Sequence, residues 1–458
     1  MRAELCCLVA VVLLVPARGY HLSKEKFMRG CYIHNYAFSP TNQPLFGTKD
    51  MDLHLCTHFF YAHARIDING LVIKAEIPKL EEGPKGIYRQ LMDIRKAYPS
   101  VKFILSLGGP KESNTAFDVI TATEARIETF SSRTVNFLYN RSFDGLDIDW
   151  QFPNTASRKE KLTRLLKEMR KIFNVAQSAH PMLLTLTASG LVAQVDAGYD
   201  VADVALYVDY VLVRAYNLVN TSSSRATFSS PLYPDPGSTL DPTLNVNYSI
   251  GYWHRKGLPF YKLVVGFTAV GRFLKLANRS ESKPGSPVTR EVLYGKHYHL
   301  PSGMVYPEIC SLMQSKLIQR KFDETQKNPY LVIGDSWVGY EDVDSIATKL
   351  AWMMSLGVGG YMFDGVHLDD FTGKFCDKGS YPLLHAMCDK IMDIFTEWSK
   401  TTMTTTTDDD GDSQPAKGQE SETVLAALGF VFVLAACVTA YGLFVSLTKP
   451  MPAGSLAE

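Results

Sequence analysis

Phe143-Asp144-Gly145-Leu146-Asp147-Ile148-Asp149-Trp150-Gln151-Phe152-Pro153 is the stretch on which the reading of the whole chain turns. A strand sends successive side chains to opposite faces. Asp147, Asp149 and Gln151 therefore share one face, and Leu146, Ile148 and Trp150 the other, before Pro153 ends the run. Two acids beside large apolar residues are costly to bury unless they hydrogen-bond and share protons. Perturbed acids of that kind gather at functional sites; a surface edge strand with a polar outer face is the plainer alternative.

Outward from this strand the chain alternates between two periodicities. Residues 30–36, 55–62 and 101–107 read as strands, the third closed by Gly108-Gly109-Pro110. Residues 183–188, 211–216, 263–267 and 358–363 supply four more. Between them, 87–98 places Ile87, Leu91 and Ile94 on one helical face. Residues 161–179 carry Leu162, Leu165, Leu166, Met169, Ile172, Phe173 and Ala176 at amphipathic spacing, with a solvated Lys/Arg face opposite. Residues 342–356 and 383–398 are helical as well. Strands alternating with helices argue an α/β protein with a parallel sheet, and eight such units suit a closed (β/α)8 barrel. The interval from about 272 to 340 is too long for one loop and holds strand-like pieces such as 329–333.

The ends of the 458-residue chain have a different composition. Met1-Arg2, an apolar run over 5–15 and Ala17-Arg18-Gly19 describe a secretory signal peptide over residues 1–19. Residues 424–447 carry no charge and are long enough to span a bilayer, with Lys449 on the expected cytoplasmic flank and a short tail over 448–458. A lipid-anchor signal is the alternative, against which the polar tail argues. The Thr- and Asp-rich segment 401–423 reads as a disordered stalk between a folded domain over 20–400 and the span. The expected product is a single-pass cell-surface protein, with a lipid-anchored or shed form as the alternative. Asn140, Asn220, Asn247 and Asn278 each begin a glycosylation sequon, as suits an exported domain. Lys+Arg and Asp+Glu are 47 each, so no basic footprint for nucleic acid is present. No Cys-x-x-Cys pair marks a metal site, and His54 and His58, four strand steps or roughly 13 Å apart, cannot share an ion. No cofactor is expected.

The Asp144–Gln151 segment resembles the signature of the family 18 glycoside hydrolases, the chitinases and chitinase-like lectins. Their pattern is Asp-Gly-x-Asp-x-Asp-x-Glu on the fourth strand of a (β/α)8 barrel. Asp144, Asp147 and Asp149 match it, and Gln151 stands at the final Glu. In the family that Glu is the general acid, protonating the glycosidic oxygen while the substrate's N-acetyl group attacks the anomeric carbon. An amide has no proton to give. The resemblance extends over roughly 20–400 and implies an α+β insertion at about 272–340, after strand seven, forming one wall of the cleft. It also implies disulfides Cys31–Cys56 and Cys310–Cys376, leaving Cys388 free; the sequence by itself leaves the pairing open.

Further departures follow the same direction. The family's Met-x-Tyr-Asp is here Arg214-Ala215-Tyr216-Asn217. Tyr216 keeps the hydroxyl implied to bind the N-acetyl carbonyl, whereas Asn217 removes an acid. Asp364 aligns with the Trp that floors the family's cleft, and Pro110 and Tyr36 stand where Trp is usual. His63 replaces a Phe and Val270 a Tyr, while Arg272 remains. None of the five tryptophans falls at a sugar-stacking position. The resemblance thus implies an inactive chitinase-like protein whose cleft, with Tyr32, Tyr36, Asp149, Gln151, Tyr216, Asn217, Arg272 and Asp364, takes a glycan (chitin or an N-acetylglucosamine-type oligosaccharide) or a protein ligand. Two alternatives stand beside it: a hydrolase using another acid such as Asp149 or Asp364, and an adhesion or receptor ectodomain with no carbohydrate function.

Overall fold

Apolar runs bounded by Gly and Pro become the inner ring of the molecule. The structure, a computed structural model, describes residues 23–39, 44–176, 181–219, 223–296, 298–315 and 317–407. Its barrel strands are β1 (Met28–His34), β2 (His58–Asp67), β3 (Lys102–Gly108), β4 (Gly145–Asp149), β5 (Leu183–Ser189), β6 (Tyr210–Arg214), β7 (Leu263–Thr268) and β8 (Gly360–Asp364). Each is parallel to the next, β8 returns to β1, and the ring of eight is closed, as the sequence leads one to expect.

The interior is filled by Met28, Tyr32, Phe60, Ala62, Ile104, Leu212, Tyr216, Val264 and Met362. Fully burying a side chain of that size contributes about 1.5–3 kcal/mol. Around the ring lie α1 (Ile87–Ala97), α2 (Glu124–Asn140), α3 (Ala156–Ala176), α4 (Val246–Arg255), α5 (Val343–Ser355) and the first part, to Phe395, of α6 (Pro382–Thr407), with shorter helical turns between. The stripe on α3 behaves as its spacing requires: Leu162, Leu165, Leu166, Met169 and Phe173 are buried.

After β7 the chain leaves the barrel for a five-stranded antiparallel sheet. Its strands are Val270–Lys275, Gly303–Val305, Lys321–Asp323, Asn328–Ile333 and Ser336–Gly339, with a helix at Tyr306–Met313. Phe228, Leu274, Tyr330 and Trp337 give this insertion its own core. It is tied to the barrel by a buried cation. Lys349 of α5 donates to the Ser230 carbonyl at 2.6 Å and to Asn328 Oδ1 at 3.2 Å, and pairs with Glu341. Cys31–Cys56 and Cys310–Cys376 are bridged, and Cys388 is free.

Several boundaries differ from expectation. β1 stops at His34 because Asn35–Phe38 turns into a 3-10 helix, and β2 begins only at His58. α6 continues through Thr407, into the segment expected as the stalk; no Pro or Gly lies between Trp398 and Thr407 to stop the helix. The compact unit that holds the barrel and insertion ends at Phe395. Among the described residues no helix is long and apolar enough to cross a membrane. The signal peptide (1–19), the stalk from 408, the span (424–447), the tail (448–458) and Asn220 lie outside the described residues. Asn140, Asn247 and Asn278 are exposed.

Candidate ligand-binding cleft

The parallel register places Ser106 of β3, Asp147 of β4 and Thr185 of β5 side by side. Asp147 points into the barrel, where Oδ2 accepts from Tyr32 at 2.6 Å and Ser106 at 2.7 Å. Its Oδ1 accepts from Thr185 at 2.8 Å and Thr187 at 3.1 Å. Burial, with the Asp149 charge beside it, pushes this carboxyl up despite those donors. Tyr32, expected at the cleft, is 1% exposed, stacked on Phe60 and part of the barrel interior. Its place is dictated by the partner for its hydroxyl, which lies below the strand ends.

Asp149 ends β4 one step higher and is fully buried. Three nitrogens converge on its Oδ2: Arg214 Nη2 at 2.7 Å, Gln151 Nε2 at 2.9 Å and His63 Nε2 at 3.0 Å. Burial alone would raise this carboxyl, but the Arg214 charge and then His63 outweigh it and hold Asp149 below the usual range. Gly108 has φ +117°, open to glycine, and a Cβ there would lie 2.4 Å from the Asp149 carbonyl oxygen. A Cβ on Gly109 would strike the His63 ring. The Gly-Gly pair after β3 is what lets the chain fold over this centre.

The second acid comes from β8. Asp364 accepts from Tyr216 Oη at 2.5 Å and lies 2.6 Å from His34 Nε2. Burial opposes ionisation here too, but His34 and Arg214 overcome it and hold the carboxyl well below its ordinary value. The same acid, after burial, drives the Tyr216 phenol well above its own. The Tyr216 hydroxyl is thus given to a carboxylate inside the protein. His34 stacks on Tyr36, with ring centroids 5.2 Å apart.

Between β1, β6, β7, β8 and the insertion opens a cavity of about 510 Å³. Tyr36, Tyr216, Asn217, Arg272 and Asp364 line it together with His34 and Leu300–Gly303 of the insertion. Asn217 adopts φ +53°, in the left-handed region Asn tolerates, with its Oδ1 accepting from Ser229 at 3.0 Å. Arg272 is nearly buried, donates to the Val219 carbonyl at 2.9 Å, and is lowered by burial to about 10. Asp149, Gln151 and Tyr32 do not line this cavity, and no tryptophan does. Trp150 packs on Phe117 at 4.5 Å and donates to Asn114. Asp144 lies at the other end of β4, clamped by Arg95 at 2.7 Å and by the Phe103 amide at 2.9 Å, and is structural.

Arg214, His34 and His63 complete the site; the sequence named His63 only as the replacement of a Phe and Arg214 only within its motif, and gave none of the three a contact with an acid. A signal existed for two of them. Arg214 interrupts an apolar strand and so requires a buried acid, and His34 shares a period-two face with Tyr32 and Tyr36.

A closed eight-stranded parallel barrel with buried acids at its strand ends and an insertion walling a cleft defines a (β/α)8 barrel protein, in which ligand sites lie at the C-terminal ends of the strands. The chain belongs to the Glycosyl hydrolases family 18, whose sequence profile matches residues 28–369. It is 32% identical to Chitotriosidase-1 of Mus musculus over 368 residues, covering 78% of this chain and 76% of that protein. With Chitinase-3-like protein 2 of Homo sapiens the identity is 30% over 370 residues, covering 78% and 90%. Its fold is similar to that of human YKL-39, described as a pseudo-chitinase with retained chitooligosaccharide binding properties. The TM-score is 0.74 at 27% identity, over 80% of this chain and 99% of that one.

Proposed function

We propose that this chain is an inactive chitinase-like protein that binds an N-acetylglucosamine-type oligosaccharide at its strand ends without cleaving it. The observation that carries the reading is the residue at 151: its amide donates to Asp149 at 2.9 Å, where a proton donor to the glycosidic oxygen is required. Neither alternative acid is suited to the task, since the Arg214 charge with the His63 contact at Asp149, and the His34 contact with the Arg214 charge at Asp364, hold both carboxyls below the usual range. Retained sugar binding in a pseudo-chitinase of similar fold supports the ligand class. The domain is proposed to stand outside the cell, anchored through 424–447.

The test pairs pull-down on chitin beads and a glycan array with release of a fluorophore from a chitobiose glycoside. Saturable binding with no turnover is the expected result. Turnover that scales with protein concentration through purification sinks the reading. A second reading, an adhesion ectodomain with a protein ligand, is favoured by one observation: the Tyr216 hydroxyl is taken up by Asp364, leaving that donor engaged inside the protein. A blank array with a captured cell-surface protein would favour it.

A further inference from the structure

We propose that Arg214 is a second lock on the cleft, independent of Gln151: seated on Asp149, its guanidinium would hold any carboxyl placed at 151 as an ionised partner, so that restoring the acid does not restore a proton donor. The proposal deepens the reading of an inactive cleft and rests on it. Its basis is geometric. Arg214 Nη2 and Gln151 Nε2 donate to the same atom, Asp149 Oδ2, at 2.7 and 2.9 Å. A side chain at 151 therefore lies inside the roughly 4–6 Å over which an opposite charge favours the charged form of a carboxyl. The guanidinium is itself mostly buried, at 16% side-chain exposure, so water does little to screen it. Its Nε has no hydrogen-bond partner among the described residues, which leaves a donor for a new acid.

The reaction of the family needs the reverse. The acid's proton passes to the glycosidic oxygen as the bond from that oxygen to the anomeric carbon breaks. The acetamido oxygen bonds to that carbon, and the positive charge stays on the ring so formed. A fixed buried cation both keeps the acid deprotonated and opposes the charge that develops. The other titratable groups around this pair are His63 from β2, on the same Asp149 oxygen, Asp147 from β4, which feels the Asp149 charge, and Tyr216 and Asp364, with His34 on Asp364, which lie in the field of Arg214. Asp149, being negative, would push a neighbouring carboxyl up, so removing Arg214 reverses the sign of the local field. Arg214 is in this sense a positioning residue, acting through Asp149 and through whatever stands at 151.

The test follows the side-chain carboxyl at 151 by NMR in full-length protein labelled at the Glu carboxyl carbon, assigned by difference against the parent chain. Its titration is compared in Q151E and Q151E/R214M. The expected result is a proton affinity at least tenfold higher in the double variant. Equal titration in the two overturns the proposal. Should the Met variant not fold, Q151E/R214Q keeps a donor to Asp149 without the charge and gives the same comparison. No sugar is used, so a failure of the parent chain to bind chito-oligosaccharides would sink the glycan reading and leave this comparison standing.

Discussion

At the scale of single residues, the cleft is defined by how its buried acids are partnered. Asp149 is matched by Arg214 and Asp364 by His34, both through direct contacts. Gln151→Glu by itself is therefore expected to give no detectable hydrolysis of a chitobiose glycoside. General acid catalysis is worth on the order of a hundred- to ten-thousandfold, but only from a protonated acid on a well-placed sugar. Adding Asn217→Asp and Asp364→Trp supplies the acid and the floor that the family resemblance implies at those positions, and would still leave Arg214 in place. Turnover is expected only when Arg214→Met joins them, with initial rates of the folded variants as the measurement. The acid ladder itself was legible because strand periodicity puts Asp147 and Asp149 on one face. The Arg214–Asp149 contact was not, because its partners are 65 residues apart and meet only across the ends of a closed barrel.

At the scale of elements, Asp369 shows how the chain after β8 is held. It accepts from the amides of Asp370 at 2.8 Å, Leu383 at 3.0 Å and Leu384 at 3.1 Å, and so caps the start of α6. Burial outweighs those donors and raises its pKa to about 7. In the unfolded chain it titrates at about 3.9. The folded state thus binds the extra proton between those values, and stability from this group is full below about pH 4 and lost as pH rises through about 7. Asp369→Asn has no charge to bury. The gap in urea unfolding free energy between parent and variant is expected to move in the variant's favour from pH 4.5 to 7.5, by about 1.4 kcal/mol for each unit of displacement. The disulfide between the insertion helix and the same post-β8 loop, Cys310–Cys376, is expected to contribute about 2–4 kcal/mol. Unfolding of a double Ser variant measures it. Strand-level reading succeeded where apolar runs met Gly or Pro, as at Gly108. It missed α2, whose stripe of Ile127, Phe130 and Leu138 is diluted by Ser, Thr and Arg, and it placed strand ends poorly where the chain turns directly into a 3-10 helix.

At the scale of the whole molecule, the proposed anchor makes a simple prediction. The protein should remain with membranes after treatment with a phospholipase that cleaves lipid anchors, and be released by detergent; release by the phospholipase would favour the lipid-anchored form. The barrel's closure adds a matter of timing. β1 needs both β2 and β8 as neighbours, and β8 is 332 residues further along from Met28 to Gly360. During synthesis one edge of the first strand must therefore wait, at about 5–20 residues per second, for some tens of seconds before its second partner exists. Cys31–Cys56 spans only 25 residues and can staple that waiting strand early, whereas Cys310–Cys376 can form only once the last strand has been made. The second bridge therefore cannot appear before the strand that closes the ring has been made, and a chaperone that covers bare strand edges would find its client here in the interval between the two.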